Sequence, residues 1–467
     1  MLFRSRRELI LHRPRVLINH RRSNKMKRET MCIQAGYEPK NGESRMIPIV
    51  QSTTFKYDTS EDMGKLFDLE ANGYFYSRLQ NPTNDYVAAK ICALEGGSAA
   101  MLTSSGQAAS FFSIFNICGN GDHVVCSSTI YGGTYNLFAV TMKRMGIEFT
   151  FIDPDCSDEE LEAAFQENTK AVFGETIANP ALIVFDIERF ADAAHAHGVP
   201  LIVDNTFATP INCRPIEWGA DIVIHSTTKY LDGHDATVGG CIVDSGKFDW
   251  FAHADKFPGL TTPDDSYHGV TYAEKFGLEG AYITKATAQL MRDFGCTQSP
   301  QSAFLLNLGL ESLHVRMERH CLNATRVAEF LESHEKISWV NYPGLKSNKY
   351  YELAKKYMSL VCTERQERML ARFLDTNDLR PTRPPVILDE IPWYQMNMNG
   401  ELDCVCENEK ARGVEYFFRK AIFYMTHFAA DNIYLPEFRV RRAVSSSGIG
   451  IEFEATDLKR TDAFNNI

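Results

Sequence analysis

Two residues near the middle of the chain have the types and the spacing to hold a charged aromatic cofactor. Asp204 ends the apolar run 200–203, which predicts a buried strand of a parallel sheet. A second apolar run, 220–224, leads through the letters HSTT to Lys229. Because ligands of open α/β sheets bind at the carboxyl ends of strands, we expect both side chains at one edge. An amine that can bond to an aldehyde, beside a carboxylate that can keep a pyridine ring protonated, fits pyridoxal phosphate (PLP).

Taken singly, either residue is more simply explained as a solvated loop lysine or a strand-end acid. Their occurrence together on consecutive predicted strands favours the cofactor site. The small residues 104–106 open a predicted helix, whose first amide groups and dipole can attract an anion, although taken alone such a segment is usually a simple N-cap. The hydroxyls of Ser226 and Thr228 can also bind a phosphate, and Tyr131, flanked by glycine, can stack on a ring.

The elements that must position these residues alternate regularly. Strand and helix patterns repeat at the interval typical of right-handed βαβ units, which predicts a mainly parallel sheet. Strands are expected at 99–103, 123–126, 147–152, 170–176, 199–203, 220–224 and 239–243. Helices are expected at 81–94, 104–118, 157–166 and 183–197, and a long helix is expected from about residue 299 onwards.

The composition indicates a globular protein and argues against nucleic-acid-binding and membrane-spanning classes. A chain of 467 residues is long enough for two domains, and 44% apolar and 23% charged residues are ordinary for a globular protein. The net charge of -11 argues against nucleic acid as a partner, and the sequence has no apolar run long enough for a membrane span. Twelve cysteines without CxxC pairs indicate a reducing cytoplasm, and Cys404 with Cys406 is too little for a metal site.

The segments VDNTFATP and HSTTKYLDGH resemble the PLP-attachment region of the Cys/Met-metabolism family, which includes cystathionine γ-synthase, methionine γ-lyase and O-acetylhomoserine sulfhydrylase. The resemblance runs from about Met26 to Met358, and residues 267–313 are most similar to the sulfhydrylases. It implies a fold-type I PLP transferase of the α/β class, with a mainly parallel sheet in the large domain and a smaller C-terminal α/β domain. It also implies a homodimer or homotetramer with shared active sites.

The resemblance assigns roles to residues of this chain. Lys229, Asp204 and Tyr131 are implied to be catalytic, with Tyr131 stacked on the cofactor ring and sharing in proton transfer. Further cofactor contacts are implied in the motif ETIANP, whose asparagine faces the phenolic oxygen, and in an arm that reaches the partner's site. The implied cofactor-binding set is Lys229, Asp204, Tyr131, Gly106, Gln107, Ser226, Thr228, Asn179, Glu175, Tyr76 and Arg78.

Five segments are expected along the chain. Residues 1–25 carry seven arginines and read as a disordered basic extension, with an organellar transit peptide as the alternative. Residues 26–80 form the arm, 81–290 the large PLP-binding domain, and 291–358 a linking helix and the start of the small domain. Residues 359–467 depart from the family: Ser446 stands where it has a carboxylate-binding arginine, and neither Arg441 nor Arg442 is assigned that role. This region is either a frame-shifted or spliced remnant or a genuine replacement domain.

The expected reaction is γ-replacement on O-acetylhomoserine with sulfide or a thiol, giving homocysteine or methionine and acetate. Gly133 occupies the position at which methionine γ-lyases have a cysteine, so this resemblance favours a transferase over a lyase. Cystathionine γ-synthase or methionine γ-lyase chemistry stays open as an alternative. So does a catalytically impaired subunit, because of the altered C-terminus.

Overall fold

The computed structural model describes residues 26–342, 344–345, 401–404 and 409–427. The chain divides between Ala324 and Thr325 into two compact units, and this boundary lies inside the segment 291–358. The predictions for residues 1–25, for Cys406 and for most of 359–467 lie outside the described residues. Within the described part, no helix is both long enough and apolar enough to cross a bilayer.

A seven-stranded sheet organises the first unit, in the order β1-β7-β6-β5-β4-β2-β3. Strands β2 to β6 pair in parallel, whereas β7 runs antiparallel to both β6 and β1. Strand β1 therefore points in the same direction as β6, and the sheet is mainly parallel as predicted. The strands are β1 Ala99–Thr103, β2 His123–Ser127, β3 Glu148–Ile152, β4 Thr169–Glu175, β5 Leu201–Asp204, β6 Ile222–His225 and β7 Gly240–Asp244.

Helices cover this sheet and flank it. The first unit contains α1 Arg28–Gln34, α2 Ser60–Phe67, α3 Pro82–Glu95, α4 Gly106–Phe115, α5 Gly132–Asn136, α6 Asp158–Ala163, α7 Ile187–Ala196, α8 Thr209–Asn212, α9 Pro258–Thr261, α10 Tyr272–Lys285, α11 Arg292–Phe294 and α12 Pro300–Glu311. Helix α13, Leu313–Glu332, crosses the boundary between the units, and α14, Glu409–His427, belongs to the second. Helices α3, α4, α7 and α10 pack on the strands.

Local chemistry fixes several of these boundaries. Asn81 caps α3 by accepting from the amide of Thr83, with a proline as the first helical residue, and Gly96 ends the helix at φ 78°. The predicted capping box at Ser157 and Glu160 is present. Every residue of β1, β2, β6 and β7 is buried, which explains why these strands read as continuous apolar runs.

Two expectations about helices were wrong in detail. The long helix expected from about residue 299 is two helices, separated at Ser312. Helix α10, which begins at Tyr272, kinks at Gly277 with φ 67°. Helix α7 begins at Ile187, because Asp186 accepts from the amide of Arg189 as its N-cap. The arm also contains α2, which is capped by Thr59.

Candidate active site

The strand topology brings the predicted site residues to one edge of the sheet. Strands β1, β4, β5 and β6 all end at this edge, and β7 begins there, because Thr103 pairs with Gly240 and Cys241 with His225. The segments that follow these strands carry most of the polar residues that the sequence singled out. This is the edge at which ligands of α/β sheets bind.

Asp204 is held in one orientation by its neighbour Thr206. The Thr206 amide donates to Asp204 Oδ1 at 3.0 Å, and the Thr206 hydroxyl donates to the same oxygen at 2.5 Å. The amide of Ser226 in turn donates to the Thr206 hydroxyl at 2.8 Å, which ties β5 to the segment after β6. Burial raises the pKa of Asp204, whereas the bonds from Thr206 and the charge of His225 oppose that rise.

A second carboxyl group lies beside Asp204. Glu175 ends β4 and pairs with Asp204 across the sheet, and its Oε2 accepts from the backbone amide of Tyr131 at 2.7 Å. Burial raises the pKa of Glu175 above its usual range, and the negative charge of Asp204 raises it further. Through the bond from the Tyr131 amide, Glu175 anchors the start of α5.

The two predicted phosphate-binding segments touch each other. A Cβ atom on Gly106 would lie 2.5 Å from Cβ of Ser226, so only a glycine allows this approach. Ser105 caps α4 by accepting from the amide of Ala108. The Thr228 hydroxyl accepts from the amide of Gly239 at 3.1 Å, which fixes its position after β6. The N-terminus of α4 and the hydroxyl-bearing segment 226–228 therefore lie together, and both can donate hydrogen bonds to a phosphate.

Tyr131 presents its ring at the entrance of this edge. Its side chain is 49% exposed, and the ring lies close to Gly133, where a Cβ atom would come within 2.5 Å of Tyr131 Cε1. The same Cβ atom would lie 2.9 Å from Nε2 of Gln107, which donates to Thr134 Oγ1 at 3.5 Å. Tyr131 and Gln107 thus converge on Gly133, and the tyrosine face is available for stacking.

Lys229 lies in the turn after β6 and is exposed. Its backbone amide donates to the carbonyl of Ser226 at 3.3 Å, and its carbonyl accepts from the amide of Gly233 at 2.8 Å. The turn is held at both sides while the amine projects freely. An oriented carboxylate, a projecting amine, an anion cradle and an exposed aromatic face together fit PLP.

The structure does not bring every predicted residue to this cluster. Arg78 donates to the carbonyl of Arg292 and lies 5.1 Å from the ring of Tyr76, so within one chain both belong to the arm. This placement leaves open their predicted contact with a partner's site. Asn179 is half-buried in the loop after β4, before a cis bond to Pro180.

Sequence reasoning missed Thr206, although it stands in the quoted segment VDNTFATP. A threonine two residues after a buried acid is a detectable signal, because its amide and hydroxyl can both turn back to the carboxylate. A cavity of about 440 Å³ was also unexpected. It lies under the arm, between residues such as Tyr74 and Met291, and its lining includes neither Asp204 nor Lys229. The candidate site is therefore identified from the residues gathered at the sheet edge, and this cavity is a separate feature.

Comparison with known proteins agrees with this geometry. The sequence model of the Cys/Met metabolism PLP-dependent enzymes matches residues 29–371. The chain is 47% identical over 335 residues to a homocysteine/cysteine synthase of Saccharomyces cerevisiae, covering 71% of this chain and 75% of that protein. It is 44% identical over 347 residues to an O-acetyl-L-homoserine sulfhydrylase of Corynebacterium glutamicum, covering 72% and 78%.

The fold is similar to a crystal structure described as an O-acetylhomoserine (thiol)-lyase from Campylobacter jejuni, which contains N'-pyridoxyl-lysine-5'-monophosphate. The TM-score is 0.67 with 34% identity, over 74% of this chain and 88% of the other. The predicted fold class and cofactor are thereby confirmed. The chain belongs to the Cys/Met-metabolism family of PLP-dependent enzymes.

Proposed function

We propose that this protein catalyses γ-replacement on O-acetylhomoserine, with sulfide or a thiol as the nucleophile. The observation that carries the proposal is the pairing of an oriented Asp204 with a projecting Lys229 at one sheet edge. The relatives named homocysteine synthase and O-acetyl-L-homoserine sulfhydrylase favour this substrate. In the reaction the bond between Cγ and the acetate oxygen breaks, acetate leaves with the electron pair, and a carbon–sulfur bond forms at Cγ.

The chain's own residues divide the work. PLP, when bound, withdraws electrons so that the protons on substrate Cα and Cβ become removable. Lys229 Nζ binds the cofactor and, once released, carries the Cα proton. Asp204 Oδ atoms hold the ring-nitrogen proton, and Thr206 keeps that carboxylate in place. Tyr131 covers the ring and shares in proton transfer.

Phosphate and ring-oxygen contacts complete the proposed site. The amide groups at Gly106 and Gln107 and the hydroxyls of Ser226 and Thr228 bind the phosphate. Glu175 holds the segment that carries Tyr131, and Asn179 faces the phenolic oxygen. We also place Tyr76 and Arg78 of a second copy at the phosphate, because the arginine fork grips phosphate oxygens bidentately.

The assembly and compartment follow from the same proposal. Shared phosphate contacts require at least a homodimer, and a homotetramer would be a pair of such dimers. The cysteines in the described part of the chain form no disulfide with one another, which suits a reducing cytoplasm. A Cβ atom at position 133 would lie 2.5 Å from Tyr131 Cε1, so a cysteine there would require the tyrosine ring to shift.

The decisive experiment compares the purified protein with Lys229→Ala. The parent protein should show the visible absorbance of lysine-bound PLP and release acetate from O-acetylhomoserine when sulfide is present. Lys229→Ala should lose both. An unchanged visible spectrum in the variant would remove Lys229 from the site. A parent protein with the absorbance but no acetate release, with cystathionine or methionine turned over instead, would select the alternative chemistries.

A further inference from the structure

A buried carboxylate joins the two strands that carry Asp204 and Lys229. Glu95, the last residue of α3, is fully buried, and its Oε1 accepts from two side chains. His225 Nε2 donates to it at 2.7 Å, and Asn205 Nδ2 donates at 2.8 Å. Both donors are also fully buried. One oxygen of a helix-end residue therefore holds side chains from the ends of β5 and β6 together.

The two donors adjoin the residues assigned to the cofactor. Asn205 follows Asp204 directly, and its amide donates to the carbonyl of Ile224 at 2.9 Å. Asn205 Oδ1 accepts from the Thr176 hydroxyl at 2.9 Å, while the Thr176 amide donates to the Asp204 carbonyl at 3.0 Å. A shift of Asn205 would consequently move the backbone of Asp204.

His225 adjoins the turn that carries Lys229, as Asn205 adjoins Asp204. It is the last residue of β6 and precedes Ser226, whose amide binds the Thr206 hydroxyl. The turn that begins at Ser226 closes on Lys229 three residues later. A shift of His225 would therefore alter the bond that orients Asp204 as well as the placement of the lysine.

Charge acts in the same direction as geometry. A buried carboxylate needs hydrogen-bond or ionic partners, and His225 is the ionisable side chain that faces Glu95. The charge of His225 also lowers the pKa of Asp204, against the effect of burial. Glu95 Oε2 and His225 Nδ1 have no hydrogen-bond partner among the described residues, so the bond between Nε2 and Oε1 is what joins these two side chains.

We propose that Glu95 is a positioning residue, which acts through His225 and Asn205 to fix the separation of Asp204 and Lys229. It touches neither substrate nor cofactor. The inference rests on the proposed function of Asp204 and Lys229, because it concerns how these two residues are held. A group with this role should affect cofactor retention more than it affects folding.

The same two strands supply a matched control at their opposite ends. Asp221 is also buried, and its Oδ2 accepts from His195 Nε2 at 2.8 Å and from the amide of Leu201 at 2.9 Å. Leu201 begins β5, and Asp221 precedes the first residue of β6. Asp221 therefore joins the start of β6 to β5 through the Leu201 amide and to α7 through His195, at the strand ends opposite the edge that carries the site.

The test compares the holoenzymes of Glu95→Gln and Asp221→Asn with the parent. Each is freed of PLP by dialysis and titrated with PLP, with the visible absorbance giving the dissociation constant and thermal melting giving stability. Both variants should melt lower. Glu95→Gln should bind PLP at least about tenfold more weakly and with an altered absorbance maximum, whereas Asp221→Asn should stay within about twofold.

Three results would overturn the inference. Glu95→Gln could bind PLP as tightly as the parent, or the two variants could lose affinity equally, which would make the link purely structural. A parent protein without the visible absorbance of bound PLP would refute the proposed function itself, and this is seen before any variant is made. If Glu95→Gln does not fold, Glu95→Asp is judged by the same criteria, since it keeps the carboxylate but draws it back from His225 and Asn205.

Discussion

Replacing Thr206 by valine would test how Asp204 is oriented. Valine keeps the branched shape but removes the hydroxyl, which donates to Asp204 at 2.5 Å and accepts from the Ser226 amide at 2.8 Å. The backbone bond from residue 206 to Asp204 would remain. Because the hydroxyl bond lowers the pKa of Asp204, its loss leaves the carboxyl less charged and less well placed for a ring nitrogen.

The size of the effect follows from the bonds that are lost. A hydrogen bond to a charged group contributes about 1.5–3 kcal/mol, and a buried amide left without an acceptor costs about 1–3 kcal/mol. The first of these losses acts on the cofactor, which predicts roughly 10- to 150-fold weaker PLP binding. The second acts mainly on folding and should appear as a lower melting temperature.

The assay is a PLP titration followed by visible absorbance, with Thr206→Ser as the control. Serine retains the hydroxyl and should bind PLP nearly as tightly as the parent. Thr206→Val that folds and still binds PLP within about threefold of the parent would refute this reasoning. It would mean that the backbone amide alone is sufficient to orient Asp204.

Three further changes have definite expected outcomes. Gly106→Ala should weaken PLP binding in the same titration, because its Cβ meets Ser226 at 2.5 Å, whereas Gly119→Ala, whose Cβ has no neighbour closer than 3.9 Å, should not. Asp204→Ala should lower acetate release severely, since removing one partner of a buried charge pair costs roughly 3–5 kcal/mol; near-normal turnover would exclude Asp204 from the mechanism. Burial lowers the pKa of Lys285 to about 8, whereas the pKa in the unfolded chain is 10.5. Between these two pH values the unfolded state binds more protons than the folded state, so the free energy of unfolding should increase as the pH rises through this range. Urea unfolding of Lys285→Met should lack this rise, worth about 3 kcal/mol, and an unchanged pH dependence would contradict it.

The fold was predictable where a signal is local. Strand β1 lies at the predicted residues 99–103, because a short buried strand is a continuous apolar run between turn residues. The reversal of β7 was not predictable, since a buried strand has the same pattern in either direction. The break at Ser312 was missed because α12 and α13 together have apolar positions at helical spacing, and a single residue separates them.

The residues of the candidate site were partly predictable from the sequence, but the contacts that orient them were not. Asp204 and Lys229 could be inferred because each follows a strand, and the ends of parallel strands meet at one edge. The contacts that orient them could not, because a hydrogen bond between distant residues leaves no periodic trace. Glu95 and His225 are 130 positions apart, and in the sequence Glu95 is only the last residue of a helical pattern. Strand ends that must hold a cofactor in place need buried polar partners, and such partners become visible only when the helix that brings them is placed on the sheet. Burying a carboxylate without partners is costly, so the residues around Glu95 must keep the positions in which they bind it. We therefore expect Glu95 to constrain this edge of the sheet. Asp221→Asn, at the opposite strand ends, provides the comparison.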